Sequence, residues 1–487
     1  MSTKTRKPRR KAPRTPSAVL KQYPKDALPQ VHPGQVQERI VGLFTRRNVS
    51  EMFNGPADPF RQRLLTIEVM TLCLLDFVLA RMPSFRDIVY RLGTGQVEHV
   101  DAIDVSPQAF YKRLATIPHV FFLQVLQAIS VHLKKSQKAT RGWIAQLAPF
   151  ANGIYAVDDT SLDAIARRTE FFKPHPKGDL ATLGGRLACA IDLLTGKFEH
   201  IVYDADGAAN EKSHVRPLLS ALQQGALIVM DLGYFSFPLF DWITQRNLYF
   251  VTRMKTKVTF EAISVLADGS HYRDSIVWLG KHRADRAARP VRLVQIRIND
   301  TWWNYVTNVL QPSKLNAEQL WRLYSQRWTI EMCFAAVKRA LHLAFLRPAA
   351  HNAMLSQIWA TLTVYQVLQD LRLEIAQAAG WQEDDVSWEM LMRRIGDYAR
   401  RPPAGQTLRD WLCADPERLW LKKSGTRKRR MSELPIPVQE QLLRPPDDPP
   451  ERVPGPRKAR QGDRTPLKNP AQLGTRDPQR AGFPSRR

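Results

Sequence analysis

Residues 324–338 read YSQRWTIEMCFAAVK, from Tyr324 to Lys338. No Pro or Gly interrupts them and helix formers predominate, so one helix is predicted over the whole stretch. At roughly 100° per residue, Tyr324, Arg327, Glu331 and Lys338 fall within about 60° of one another on one face. Ile330, Phe334, Val337 and Leu341 form the neighbouring apolar stripe. Such a helix packs on a core while aligning a phenol, a guanidinium, a carboxylate and an ammonium along one edge. Taken alone, the pattern also fits a surface helix carrying i,i+4 ion pairs such as Arg327–Glu331. The carboxylates upstream separate the two readings.

Two apolar runs upstream end in aspartate. Gly153–Val157 (GIYAV) is a β-like run that ends in Asp158, and Ala226–Met230 (ALIVM) is all apolar and ends in Asp231. An all-apolar run of this length is expected of a central strand buried on both faces. Strand ends in α/β folds converge on one rim, so Asp158 and Asp231 can approach each other there. Carboxylates gathered with Glu331 would repel, and one would protonate, unless a cation compensates. Oxygen-only ligands select Mg²⁺, with Mn²⁺ as the alternative, over zinc. Such a site supports two-metal phosphoryl transfer. Arg327 and Lys338 could then clamp flanking phosphates, with Tyr324 beside them. Each aspartate alone would pass for ordinary strand-end or turn chemistry.

The chain has 487 residues and 72 Lys+Arg against 46 Asp+Glu, a formal net charge of +26. Basicity of that size argues for a polyanionic partner, with nucleic acid first and an anionic membrane surface second. No apolar run reaches the 18 or so residues a membrane span requires, and the N-terminus lacks the apolar core of a secretory signal. Cys73, Cys189, Cys333 and Cys413 form no CxxC pair. That excludes a disulfide framework or a cysteine zinc site and suits a reducing cytosol, so the expected location is cytoplasmic and nucleoid-associated.

Composition divides the chain. Residues 1–34 are expected to be a basic, disordered arm, with Lys and Arg interleaved with Pro. Residues 35–145 read as a helical, candidate DNA-binding domain. Ser106-Pro107 there is a helix start with Ser as N-cap and Pro at N1. The helix that follows could be a helix-turn-helix reader presenting Gln108, Lys112 and Arg113, or part of an ordinary bundle. Residues 146–350 hold the strands and the opening helix. Within them, 255–312 are strand-rich and read as a β-subdomain placed before the opening helix. Residues 351–420 return to helix, and 421–487 are a basic, Pro-rich tail expected to be disordered.

These residues resemble a known family. The spacing Y-x2-R-x3-E-x6-K, met by Tyr324, Arg327, Glu331 and Lys338, is similar to the signature of insertion-sequence-4-type DDE transposases. The flanks VDDTS around Asp158 and MDLGYFS around Asp231 are similar too. The likeness covers roughly residues 60–375. It implies an α/β, ribonuclease-H-like mixed sheet with helices, interrupted by a β-rich insertion, plus an N-terminal helical domain. It implies a catalytic triad of Asp158, Asp231 and Glu331 holding Mg²⁺, and DNA cleavage followed by strand transfer. Double-stranded DNA, as element ends and as target, would be the partner, with a homodimer in the DNA complex. Trp303 would be the insertion's base-stacking residue. Arg253, Lys255 and Lys177 would be further strand contacts. One departure is Asp159, which follows Asp158 and could be the ligand in its place. Two other readings stay open: a DNA-binding protein that has lost catalysis, and a nuclease of the same fold that cuts without joining.

Overall fold

The computed structural model describes residues 64–443 apart from 98–99, 136–139, 163–184, 206–210, 256, 281–282, 285, 299, 344–345, 347–349, 402, 424–433 and 435. The predicted basic arm, most of the basic tail and Lys177 lie outside the described residues.

The N-terminal part is helical: α1 (Ile67–Leu79), α2 (Phe85–Gly93), α3 (Pro107–Thr116), α4 (His119–Lys135) and the short α5 (Gly142–Leu147). Local signals set the ends. The Ser106 hydroxyl accepts from the Ala109 amide at 3.2 Å and Pro107 opens α3, as the sequence predicts. Residues 94–106 separate α2 from α3, far more than the three or four residues of a helix-turn-helix turn. Gln108 and Lys112 are exposed, but Arg113 turns inward and donates to the Leu65 carbonyl at 2.8 Å. The helix-turn-helix expectation therefore fails for α3, because the connection is long and one of the three reader side chains is used to hold the fold.

A nine-stranded sheet follows, in the order β3-β2-β1-β4-β5-β9-β8-β7-β6. The first five strands are β1 (Ile154–Ser161), β2 (Arg186–Asp192), β3 (Lys197–Asp204), β4 (Leu227–Met230) and β5 (Tyr249–Arg253). β1, β2 and β3 form an antiparallel meander, while β4 and β5 run parallel to β1. Helices α6 (Glu211–Ser220) and α7 (Phe237–Gln245) make the crossovers and cover one face. This is the mixed sheet with helices that the family resemblance implies. β4 is fully buried, which accounts for its all-apolar sequence.

The strand-rich insertion contributes β6 (Phe260–Asp268), β7 (Tyr272–Leu279), β8 (Val291–Ile298) and β9 (Thr301–Thr307). It joins the main sheet. β9 pairs antiparallel with β5, opposing Arg253 to Tyr305, so the insertion continues the sheet. Local alternation cannot reveal this, since a strand reads the same whichever neighbour it pairs with.

The helix predicted over 324–338 is broken in two places. α8 (Ala317–Ser325) ends one turn before α9 (Trp328–Ala335), and Ala336–Ala340 is a π-helical turn. Between them the amides of Gln326, Arg327, Thr329 and Ile330 bond three residues back, the tighter 3₁₀ spacing. Propensity does not foresee these changes, because every residue involved is an acceptable helix former. The apolar stripe survives: Ile330, Phe334, Val337 and Leu341 are all buried. They face β1–β3 and the long α10 (His351–Ala379), which also packs on α1, α3 and α4. Sheet, α9, α10 and the N-terminal helices thus share one hydrophobic core. α11 (Trp388–Arg400), α12 (Leu408–Ala414) and α13 (Ile436–Leu443) complete the chain. Among the described residues no single helix is long and apolar enough to cross a membrane.

Candidate functional site

Register places the two aspartates. The last pair of the β1–β4 ladder is Val157 with Met230, so Asp158 and Asp231 are the next residues on adjacent parallel strands. Neighbouring strands lie about 4.8 Å apart, which brings the carboxylates together at the rim. β1 does not stop at Asp158, as its apolar run suggested. It continues to Ser161, because β2 keeps pairing with it and opposes Cys189 to Asp158.

Alternation settles which aspartate faces the site. Asp158 shares its strand face with Ala156, on the side of α9 and α10, whereas Asp159 points the other way with Val157. Asp159 Oδ1 accepts from Arg186 Nη2 at 2.8 Å, and its Oδ2 is buried without a hydrogen-bond partner. Asp231 follows β4 and precedes a 3₁₀ turn over Leu232–Tyr234. It makes no capping bond there, and its side chain is 45% exposed.

α9 supplies the third carboxylate, and Arg327 joins all three. Arg327 Nη1 lies 2.7 Å from Glu331 Oε1 and 3.9 Å from Asp158 Oδ2. Its Nε lies 3.6 Å from Asp231 Oδ1. Lys338 Nζ donates to Thr160 Oγ1 at 2.5 Å and to the Ser161 carbonyl at 2.8 Å. The i,i+4 pair of the simpler reading does exist, but it sits at a rim where two further carboxylates meet it.

Burial shapes the electrostatics. It pushes the Asp158 carboxyl up to about 7, against the opposing Asp159 amide and Arg327, with Asp231 adding repulsion. Burial alone would lower the Arg327 guanidinium, but Asp231, Glu331 and Tyr324 outweigh it and hold it above its usual value. Burial also raises the Tyr324 phenol, which Arg327 and Arg253 oppose.

The remaining sequence candidates divide. Arg253 stacks on Trp303, 4.4 Å from guanidinium carbon to ring centroid. Tyr305, opposite Arg253 in the ladder, meets Tyr324 edge-on at 5.2 Å. Trp303, Arg253, Tyr305 and Tyr324 thus form an aromatic and cationic row running from the insertion to Arg327. Lys255 is exposed and its Nζ lies 5.9 Å from the Phe235 ring, which packs on the opposite face of the sheet. Trp302 stacks instead with Arg273, at 4.7 Å. The sequence reading missed Thr160, which anchors Lys338, and Tyr305, which backs Tyr324. Thr160 carries a signal only once Asp158 is known to face the site, two residues before it on the same face.

Whether this donor set suits a metal is a question of chemistry and charge. Three carboxylates converge on one cation, here the Arg327 guanidinium. An oxygen-only, strongly anionic set fits a hard divalent ion. In the geometry present, no group of three or more His, Cys, Asp or Glu among the described residues is arranged to hold one.

Comparison with known proteins agrees with this geometry. Residues 149–367 match the family model described as "Transposase DDE domain". The chain is 27% identical over 341 residues to the "Probable transposase for insertion sequence element IS5377" of Geobacillus stearothermophilus, covering 69% of this chain and 82% of that protein. It is 27% identical over 193 residues to the transposase for insertion sequence element IS231F of Bacillus thuringiensis subsp. israelensis, covering 39% and 37%. With the y4zB protein of Sinorhizobium fredii it shares 24% identity over 192 residues, 36% of this chain and about half, 53%, of that protein. Among solved structures, a piggyBac transposase synaptic complex with hairpin DNA aligns over 83% of this chain and 85% of that one. Its TM-score is 0.33 at 11% identity, too weak a likeness to carry an argument. The family match thus makes residues 149–367, somewhat under half of the chain, similar to a transposase DDE domain.

Proposed function

We propose that this protein is a DDE transposase of the insertion-sequence-4 type, which binds the ends of an insertion sequence, cuts them and joins them to target DNA. The observation that carries the reading is the meeting of Asp158, Asp231 and Glu331 around Arg327, with Lys338 tying the helix to the strand. Asp158, Asp231 and Glu331 would hold divalent metal, Mg²⁺ with Mn²⁺ as a substitute. Bound there, the metal supplies activation of the attacking oxygen and stabilisation of the leaving one. The chain's own residues position the DNA. Arg327 and Lys338 carry the positive charge nearest the carboxylates, and Tyr324 backs Arg327. Arg253 and Trp303 offer a cation and a π-face to an unstacked base or backbone, and the exposed Lys255 adds a phosphate contact farther out. Double-stranded DNA is the partner, as the net charge of +26 suggests. Pairing two element ends calls for a homodimer on the DNA, acting in the cytoplasm at the nucleoid.

The test is a strand-transfer assay with Mg²⁺, element-end DNA and a target plasmid. Joined products that vanish in Glu331→Gln while DNA binding persists are expected. Cleavage without joining would mean a nuclease, and binding without cleavage an inactive DNA-binding protein.

A further inference from the structure

Three negative side chains share one positive one at the rim of the sheet. The Arg327 guanidinium lies within 4 Å of a carboxylate oxygen from each of Asp158, Asp231 and Glu331, and its side chain is only 15% exposed. Without a cation, carboxylates this close would repel until one protonated. Arg327 therefore supplies part of the compensation that a metal would supply. Its guanidinium lies among the same three carboxylates that would hold that metal. A divalent ion held by the same carboxylates would lie against the guanidinium in a half-buried setting, where like charges repel strongly.

Arg327 stands at a helix end, beside an exposed side chain. It sits in the break between α8 and α9 rather than inside a helix, and it caps α9 without a side-chain capping bond. Its guanidinium carbon is 6.0 Å from the ring of Trp328, a side chain 42% exposed.

Resting on the carboxylate site of the proposed function, we infer that Arg327 is an exchangeable counter-cation. In the metal-free protein it pairs with the three carboxylates and competes with metal for them. Loading requires the guanidinium to leave, which frees its planar fork for an anionic oxygen. Metal affinity without DNA is consequently held below what the carboxylates alone would give.

The probe is Mn²⁺, titrated into the full chain without DNA and followed by the electron paramagnetic resonance of free Mn²⁺. Arg327→Gln is expected to bind at least about tenfold more tightly than the wild type, one pKa unit's worth of charge interaction. Arg327→Lys keeps the charge but cannot reach three carboxylates at once, and is expected to fall between the two. It also serves if Arg327→Gln does not fold. Unchanged or weaker Mn²⁺ binding in a folded Arg327 variant overturns the exchange. The double variant Arg327→Gln, Glu331→Gln separates the two ideas. If it keeps the tight binding, the metal sits elsewhere and the carboxylate site itself is wrong. If it loses binding while Arg327→Gln merely matches the wild type, the site stands and the exchange falls.

Discussion

Lys338 Nζ donates to Thr160 Oγ1 at 2.5 Å and to the Ser161 carbonyl at 2.8 Å. This single ammonium fastens the turn after α9, which carries Glu331, to the end of β1, which carries Asp158. The distance between two of the three carboxylates thus depends on a bond that neither of them makes. Replacing Lys338 by Met keeps the apolar stem and removes the bond. A loss of about 1.5–3 kcal/mol in stability is expected, as for a hydrogen bond to a charged group. Strand joining should fall about 100-fold from misplacement of Glu331. Chemical denaturation and the joining assay read the two effects separately, and unaltered joining would remove Lys338 from the site.

Asp158 and Asp159 are adjacent in sequence and opposite in role. Asp158→Asn should abolish cleavage and joining, by about 1000-fold or more, with the fold intact, because it takes away a metal ligand. Asp159→Asn should keep much of the activity. It should destabilise the protein by about 1–3 kcal/mol, because the ion pair with Arg186 lies under the sheet. The reverse pattern in thermal melts and product yields would reassign the ligand.

Metal binding should depend on pH through Asp158. Burial raises that carboxyl to about 7, so below pH 7 a proton must leave for metal to enter. Affinity for Mn²⁺ should drop about tenfold per unit below pH 7 and level off above it. The same shift has the opposite sign for the metal-free fold. The folded form holds its proton more tightly than the unfolded chain, so stability declines as pH rises from about 4 to about 7. Calorimetric titrations in buffers of different ionisation heat would reveal the released proton, and pH-independent affinity would refute the claim.

Trp303 and Arg253 should act as a unit. Their stacking is worth about 0.5–1 kcal/mol in a double-mutant cycle on stability. If Trp303 also stacks on a base, Trp303→Ala should weaken binding of a duplex with unpaired ends by about 1–3 kcal/mol and leave fully paired DNA little affected. Equal loss on both substrates would make Trp303 a structural residue of β9.

Much of this was legible in the residues. Apolar runs ending in Asp158 and Asp231, the Ser106-Pro107 helix start and the buried stripe Ile330, Phe334, Val337 and Leu341 all report local chemistry, and local chemistry is carried by periodicity and side-chain type. The same reading wrongly joined 324–338 into one helix and did not show which strand the insertion pairs with. It stopped β1 at Asp158 because a strand with polar residues looks finished until its partner is known.

The sequence by itself determined the carboxylates, the basic residues beside them and the order of strands that delivers them. Tertiary structure alone decided which of Asp158 and Asp159 faces α9, that β9 extends the sheet from β5, and that Arg327 spends its charge on three carboxylates at once. The reason is physical. Strand register and helix breaks are set by long-range pairing and packing, which bring residues 158, 231 and 331 within reach of one guanidinium.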